Sequence, residues 1–531
     1  MRFPPSALGK PKRLLDPALP FLGAVAPGGG LLVRSLSPKP REAKSGGNNR
    51  ERQAVNETRP HIFLVMTDQQ RFDTIRALGA GHMDTPNLDR LVREGVSFRN
   101  CFVNAPSCVP SRASLFSGHS PHTSGVLRNG QVWGRTWVEQ LAKAGYHCVN
   151  VGKMHTIPYD APAGFHERFV VENKDRFYEG RWFADEWDKS LVHQGAIKPS
   201  RALYRALPDY RERLGAFDWP LEPHQHSDVF VAETARWWLQ TRPKPEALFM
   251  QIGFPGPHPP YDPPASYTQA YLDKPDLPVP VVAASELEEL PDMLKAKRHH
   301  DVEIDHDAIA WSLDPTPEQL RRLRAHYDGN VTLIDEQIGN LLSTLQERGY
   351  ADNCVLIFMS DHGDNLGEHG LSQKWSMYDM VTRVPAIVWA PGRFAGGRQL
   401  DGLCQLFDFG PTILELAGLT VPADFEAQSL LPALDGEDWA GRDAVFSEQA
   451  GDVAMADTKL ITMVRTERDK AVLFLGSEQG QYFDLLTDPR EEHNRWNDPA
   501  VQPRLAELRR RLLEWRLDSS VQAMDRAVVA R

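Results

Sequence analysis

The sequence predicts an open α/β sheet with helices on both faces, followed by a smaller C-terminal α+β unit. Three observations carry this reading. Apolar runs recur along the chain and end abruptly in polar residues, helical stretches lie between them, and the pattern changes character near residue 443. Strands alternating with helices are the mark of a layered α/β domain.

The first run, "HIFLVMTDQQ" from His61, has the continuous apolar character of a buried parallel strand. "YHCVNVGKMH" (146–155), "ALFMQIGFPGPH" (247–258), "NCVLIFMSDHGD" (353–364) and "VPAIVWAPG" (384–392) repeat it. Helices are predicted over 87–94, 135–144, 228–240 and 316–348, the last opened by Thr316 as a cap and Pro317 in the first turn. Segments 156–227 and 262–315 are irregular and rich in Trp, Tyr, His and Pro, and read as excursions that shape a pocket. After residue 443, "DAVFSEQ", "KLITMVRTE", "AVLFLG" and "QYFDLL" read as short antiparallel strands, with a helix near 501–516. The expected organisation is an extension over 1–59, a catalytic α/β domain over 60–440 and a C-terminal α+β subdomain over 441–531.

Composition narrows the function. The chain has 531 residues, 41% hydrophobic and 25% charged, enough for a substantial core. A net charge of −11 without a basic stripe excludes a general nucleic-acid binder. No apolar run reaches the roughly 18 residues of a membrane span, so no membrane partner is expected. Cysteines at 101, 108, 148, 354 and 404 show no C-x-x-C spacing, which speaks against a disulfide framework and for a reducing, cytoplasmic compartment. Residues 1–59 read as a solvated tail. Ala24-Val25-Ala26 imitates a signal-cleavage site, which leaves periplasmic or secreted export as the alternative.

The polar ends of the runs matter most. Asp68, Lys153 with His155, His258, and Asp361 with His362 all fall at the C-terminal end of a predicted strand. Ligands of open α/β sheets bind at that rim, so these residues are expected to converge. "SCVPSRASLFSG" (107–118) adds a lone cysteine ahead of a helix start, with Arg112 four residues on and on the same face. A helix N-terminus favours anions. His119, His122, His299, His300 and the "HQH" at 224–226 lack the spacing of a second metal site, and Cys101, Cys148, Cys354 and Cys404 read as core thiols.

C-x-P-S-R followed by Leu-Phe-Ser-Gly resembles the sulfatase signature, in which the cysteine is oxidised to formylglycine. "MTDQQ", "TPNLDRLVREGVSFRNCFV", "GYHCVNVGKMH", "GFPGPHPPY", "SDHGDNLGEHGLSQK" and "TRVPAIVWAPG" follow the same family in order. The resemblance implies an alkaline-phosphatase-like fold: a large mixed sheet flanked by helices. It implies that Cys108 becomes 3-oxoalanine (formylglycine) and supplies the nucleophilic oxygen. Asp68, Gln69, Asp361 and His362 match positions that hold a divalent cation together with Cys108. Oxygen donors suit Ca²⁺ or Mg²⁺, and the imidazole admits Mn²⁺; Ca²⁺ is the expected ion. Arg112, Lys153, His155, His258 and Lys374 match the family's cationic and acid–base shell, and Asn129 a substrate-binding position.

The implied reaction is hydrolysis of a small-molecule aryl or alkyl sulfate to alcohol and inorganic sulfate. Asp-Gln and Asp-His at the metal positions resemble the phosphonate monoester hydrolase branch, whereas "GKMH" resembles the sulfatases. Phosphonate monoester or phosphodiester hydrolysis and a choline-sulfatase-like activity are therefore the alternatives. Phosphotransferases of the superfold use Ser or Thr as nucleophile, and a non-catalytic relative is expected to have lost one of Asp68, Cys108, Arg112, Asp361 or Lys374. The resemblance further implies a formylglycine-generating enzyme as maturation partner and a homo-oligomeric assembly.

Overall fold

The computed structural model describes residues 59–172, 184–452, 455 and 457–529, with side chains to residue 521. The expected extension over 1–59 lies outside these residues apart from Arg59. In chain order the main elements are β1 (His61–Asp68), α1 (Pro86–Glu94), β2 (Val96–Phe102), α2 (Cys108–Ser117), β3 (His147–Gly152), β4 (Glu167–Val170), α3 (Ser227–Thr241) and β5 (Leu248–Pro257). There follow α4 (Pro317–Glu347), β6 (Cys354–Ser360), β7 (Arg383–Val384), β8 (Ala386–Trp389), β9 (Arg398–Gln405) and α5 (Phe409–Leu416). Strands β10 (Val445–Ala450), β11 (Leu460–Arg465), β12 (Asp469–Phe474) and β13 (Gly480–Asp484) lead to α6 (Gln502–Val529).

The large sheet is mixed, in the order β4-β3-β5-β1-β6-β8-β2-β7, with β9 paired to β2. Every residue of β1 is buried, because the strand faces a core on each side. Ile62, Leu64 and Met66 pack with Val109, Ala113 and Phe116 of α2 and with Ile413 and Leu414 of α5. Phe63 and Val65 pack with α1, α3 and α4 through Leu88, Val231, Trp238, Ile334 and Leu341. That alternation is what places helices on both faces.

Local signals set the helix starts. The Thr316 hydroxyl oxygen accepts from the Gln319 amide at 3.2 Å, and the Thr316 amide donates to Gln319 Oε1 at 2.8 Å, a closed capping box ahead of Pro317. Asp335 of α4 reaches the start of α1, accepting from the amides of Asn87 at 3.1 Å and Leu88 at 2.7 Å. Helix α2 ends at Gly118, whose φ of +76° suits glycine.

Three expectations change. "VPAIVWAPG" forms β8, which runs antiparallel to β6 and not parallel. The chain leaves β6 at the rim, crosses it over residues 361–383 and re-enters without a crossover helix, so it must run back down. The helix expected over 135–144 is reduced to Val138–Lys143. The final helix extends to Val529 and not 516. Strands β2, β4 and β9 carry polar or alternating sequence, as in "RQLDGLCQ", and lack the apolar run that marks a central strand.

The second sheet, β10-β11-β12-β13, is antiparallel throughout. Leu505, Leu508 and Leu512 of α6 cover one face of it. Met463, Val472, Phe474 and Phe483 on the other face pack on Leu371, Trp375, Met377 and Tyr378. This sheet therefore backs the loop that carries Lys374. No helix among the described residues is long and apolar enough to cross a membrane.

A candidate active site at the rim of four adjacent strands

Strands β3, β5, β1 and β6 are neighbours and parallel, so their C-terminal ends share one rim. Thr67 of β1 stands opposite Ser360 of β6, which sets Asp68 beside Asp361. Lys153 follows β3 and His258 follows β5. Close backbone approach places Lys153: a Cβ at Gly253 would lie 2.0 Å from the Lys153 carbonyl oxygen. Helix α2 brings Cys108 to the same rim, and the loop backed by the second sheet brings Lys374.

Asp68, Gln69, Cys108, Arg112, Lys153, Asp361, His362 and Lys374 are all buried, none above 2% exposed. Arg112 clamps the acidic pair: its Nε donates to Asp361 Oδ2 at 2.7 Å, and a terminal nitrogen lies 3.3 Å from Asp68 Oδ2. Its remaining terminal nitrogen donates to the Lys153 carbonyl at 2.9 Å. Lys153 Nζ pairs with Asp68 Oδ2 at 2.5 Å. Lys374 Nζ donates to Gln69 Oε1 at 2.9 Å and lies 3.3 Å from Cys108 Sγ. His362 Nε2 is 3.2 Å from that sulfur, and Asp68 Oδ1 is 3.6 Å from it.

The field of the site follows from these contacts. Burial pushes Asp68 up, but Lys153, His258 and Arg112 outweigh it and hold the carboxyl well below its usual range. Burial, joined by Asp68, pushes the Cys108 thiol up to about 12, so the sulfur keeps its proton at neutral pH. Burial opposes the charge on Lys374, yet Cys108, Asp307, Asp68 and Asp361 together raise its pKa. His362 and His155 are both pressed down, first by burial and then by neighbouring cations.

The donor set fits a hard divalent cation. Ligand atoms of Asp68, Cys108, Asp361 and His362 lie within 4.8 Å of one another, the one such cluster found among the described residues. Two neighbours aim the donors. His362 Nδ1 donates to the Gly363 carbonyl at 2.9 Å, leaving the Nε2 lone pair toward the cluster. Gln69 Nε2 donates to Asp364 Oδ2 at 2.6 Å, which turns the amide oxygen, not the nitrogen, inward. Gln69 holds this pose at a φ of +70°, a backbone state that is uncommon outside glycine and gathers at functional sites.

The other expected residues sit further out. His258 is 5% exposed, its Nδ1 donating to the Pro259 carbonyl at 2.8 Å. His155 shares the field of Lys153 and Arg112 and stacks on Tyr159, at a φ of +61°. Asn129 is half-buried, and its Oδ1 is occupied by the Val109 amide at 3.1 Å. The remaining histidines serve packing and surface pairs: His122 on Glu448, and His300 on Asp301 and His306. Cys101, Cys148, Cys354 and Cys404 are buried thiols in β2, β3, β6 and β9.

Two residues at the site escaped the sequence reading. Asp364 lies three positions beyond Asp361 in "SDHGD", so its spacing was a usable signal. Asp307, 3.5 Å from His258 Nε2, sits in an irregular segment with none.

The comparisons agree with this geometry. The Sulfatase family profile matches residues 60–419, and the profile described as N-sulphoglucosamine sulphohydrolase, C-terminal, matches 367–518. An arylsulfatase of Clostridium perfringens is 30% identical over 472 residues, covering 86% of this chain and 94% of the relative. A choline-sulfatase of Rhizobium meliloti is 28% identical over 469 residues, covering 83% of each. The crystal structure of the phosphonate monoester hydrolase of Agrobacterium radiobacter superposes with a TM-score of 0.73 at 25% identity, covering 87% of this chain and 96% of that one. With the mixed sheet, the clamped carboxylates and the C-x-P-S-R helix start in place, the chain belongs to the sulfatase family of sulfuric ester hydrolases.

Proposed function

We propose that the protein hydrolyses aryl or alkyl sulfate monoesters through a formylglycine at position 108. The observation that carries this is the setting of Cys108: a buried thiol at a helix start, touched by His362, Lys374 and Asp68. A thiolate nucleophile needs a depressed pKa, and this sulfur has the opposite. An aldehyde hydrate acts through oxygen and has no such need.

Asp68, Gln69, Asp361 and His362 would hold the divalent cation, with Ca²⁺ matching the oxygen-rich set. When bound, it draws charge from the reacting group as a Lewis acid. The rest falls to side chains. Arg112 fixes both carboxylates and the Lys153 backbone. Lys153 and Lys374 hold the non-bridging oxygens of the ester in a water-poor pocket, where charge stabilisation is strong. His258 gives the proton that the departing alkoxide or phenoxide requires. His155 takes one when the sulfated hydrate collapses to aldehyde and sulfate. Asn129 steadies the helix start, and through it the nucleophile.

A second reading, phosphonate monoester hydrolysis at the same site, is favoured by Gln69 and His362 beside the two aspartates and by the likeness to the Agrobacterium enzyme. Mass spectrometry of the tryptic peptide Asn100–Arg112 from the native host tests the main reading, which expects an aldehyde in place of the thiol. An unmodified thiol in active protein overturns it. Turnover of an aryl sulfate against a phosphonate monoester orders the two readings, and phosphonate turnover well above sulfate turnover reverses them.

A further inference from the structure

We propose that Asp307, steadied by Arg201, is a positioning residue that holds the Nε2 edge of His258 and favours there the proton that passes to the leaving group. The proposal rests on the role given to His258 above and adds two residues from the irregular excursions.

His258 Nδ1 lies 2.8 Å from the Pro259 carbonyl. A carbonyl only accepts, so Nδ1 carries a proton. His258 Nε2 faces Asp307 Oδ2 at 3.5 Å, and a carboxylate also only accepts. The resting ring thus carries its proton on Nδ1, and a second proton arriving on Nε2 finds the Asp307 carboxylate beside it. Asp307 Oδ1 is in turn held by Arg201 at 3.0 Å, which leaves Oδ2 for the histidine.

The backbone is bent to make this contact. Asp307 and Ala308 both adopt left-handed conformations, with φ of +53° and +64°. Such strain persists only where the surroundings impose it, and it gathers at functional sites. Here Asp305 supplies the brace, accepting from Arg205 Nε at 2.7 Å and from the Tyr210 hydroxyl at 2.8 Å. Segments 201–210 and 305–308 are thus stitched together at two aspartates, one as anchor and one aimed at the site.

The groups facing His258 make the carboxylate necessary. Burial first, then Lys374 and Lys153, hold the His258 pKa well below its usual value, and Asp307 and Asp68 oppose them. Asp307 itself faces Arg201, His306 and Lys374 besides the histidine. In the reaction, an oxygen–sulfur bond forms from the ionised hydrate, its proton already passed to solvent, as the bridging oxygen–sulfur bond breaks and its electron pair passes to the bridging oxygen. That oxygen takes the Nε2 proton and leaves as the alcohol, and His258 becomes neutral beside Asp307. Both Asp307 and Arg201 keep about a fifth of their side chains exposed, so water can return the proton.

The test compares wild type, Asp307→Asn and Arg201→Gln on phenyl sulfate and 4-nitrophenyl sulfate. Phenolate needs the proton and 4-nitrophenolate scarcely does. For Asp307→Asn, kcat/KM on phenyl sulfate should fall about 100-fold, and on 4-nitrophenyl sulfate less than about fivefold. Arg201→Gln should show the same imbalance at smaller size. The alkaline limb of the phenyl sulfate pH profile should move to lower pH in Asp307→Asn. Equal losses on both esters, or an unmoved limb, overturn the proposal. A titration of ¹³C-labelled histidine, with His258 assigned from His258→Gln, needs no turnover: His258 must lose its proton at lower pH in Asp307→Asn, and an unchanged titration overturns the proposal. If wild type turns over neither ester, the sulfatase reading fails, and this titration still decides the pairing.

Discussion

Lys470→Met should separate what the C-terminal sheet does for stability from what it does for catalysis. Lys470 on β12 is fully buried, with Nζ 2.5 Å from both Asp379 and Glu491 and 2.9 Å from the Met377 carbonyl. Methionine keeps the volume and deletes the charge. Asp379 retains Arg465 at 3.4 Å, whereas Glu491 keeps, among the described residues, the Asp379 amide at 2.6 Å. Removing one partner of a buried ion pair costs about 3–5 kcal/mol, and the retained arginine places this case at the low end. With an unfolding entropy of about 2.1 cal/mol/K per residue over the roughly 460 described residues, 3 kcal/mol lowers the melting midpoint by about 3 °C. The pH dependence has a definite sign. Burial already raises Glu491, and Lys470 opposes it. Without the cation, the Glu491 carboxyl binds its proton still more readily than its unfolded counterpart, so the deficit is largest at pH 8 and shrinks toward pH 5. Met377 lies three residues from Lys374, and a shift of about 1 Å in a positioned group costs about 100-fold in rate. A fall of 10- to 100-fold in kcat/KM is therefore expected. Melting curves at pH 5 and pH 8, with aryl sulfate kinetics, check both arms. An unchanged midpoint at pH 8, or a deficit that grows at pH 5, would refute the reasoning.

Asp364→Asn removes the acceptor that orients the Gln69 amide and also receives the Tyr261 hydroxyl at 2.6 Å. Calcium affinity, measured by calorimetry, should weaken about 10- to 100-fold, in line with losses of partners behind metal ligands; an unchanged affinity rules the orientation argument out. Glu172 follows β4, 2% exposed, with neither carboxyl oxygen hydrogen-bonded among the described residues and Arg168 3.9 Å away. Burial pushes its pKa up to about 7. A raised carboxyl destabilises the fold only where the unfolded chain ionises first, from about pH 4.5 upward, and fully above about pH 7. Glu172→Gln should thus match wild type at pH 4.5 and gain about 2–3 kcal/mol at pH 8. The same gain at both values would count against an ionisation effect.

The legible parts of the fold and site are those written in local pattern. Runs such as "NCVLIFMSDHGD" announce a central strand and its rim residues together, because a strand buried on both faces has to be apolar until it leaves the sheet. Hence Asp68, Lys153, His258 and Asp361 could be placed on one rim before their order in the sheet was known. The direction of β8 was not legible, since an apolar strand reads the same whether it runs up or down. Asp307 was hidden for a different reason. Its position depends on a left-handed turn braced by Arg205 and Tyr210 about 100 positions earlier in the chain, and no local periodicity encodes such a partnership. The role of Lys470 was hidden likewise: the run "DKAVLF" shows a strand, but not the loop it grips.

The choice between sulfate and phosphonate comes down to counting oxygens. Both esters carry one negative charge, so net electrostatics cannot separate them. A sulfate monoester presents three non-bridging oxygens, whereas a phosphonate monoester presents two and a carbon. Around Cys108 the chain sets two desolvated ammonium groups, Lys153 and Lys374, each at 2% exposure, with Arg112 behind them at 0%. A buried donor left facing carbon loses its partner without regaining water, and sites built to hydrogen-bond one substrate reject the analogue lacking that group by about 10⁴-fold or more. Lys153 sharpens the point, because Gly253 gives up a side chain to let its backbone in, and Asp68 holds its charge in place. A site indifferent to the third oxygen would have no use for that arrangement. The sulfate-to-phosphonate ratio therefore reads out whether Lys153 finds an oxygen, and the packing beneath it argues that it does.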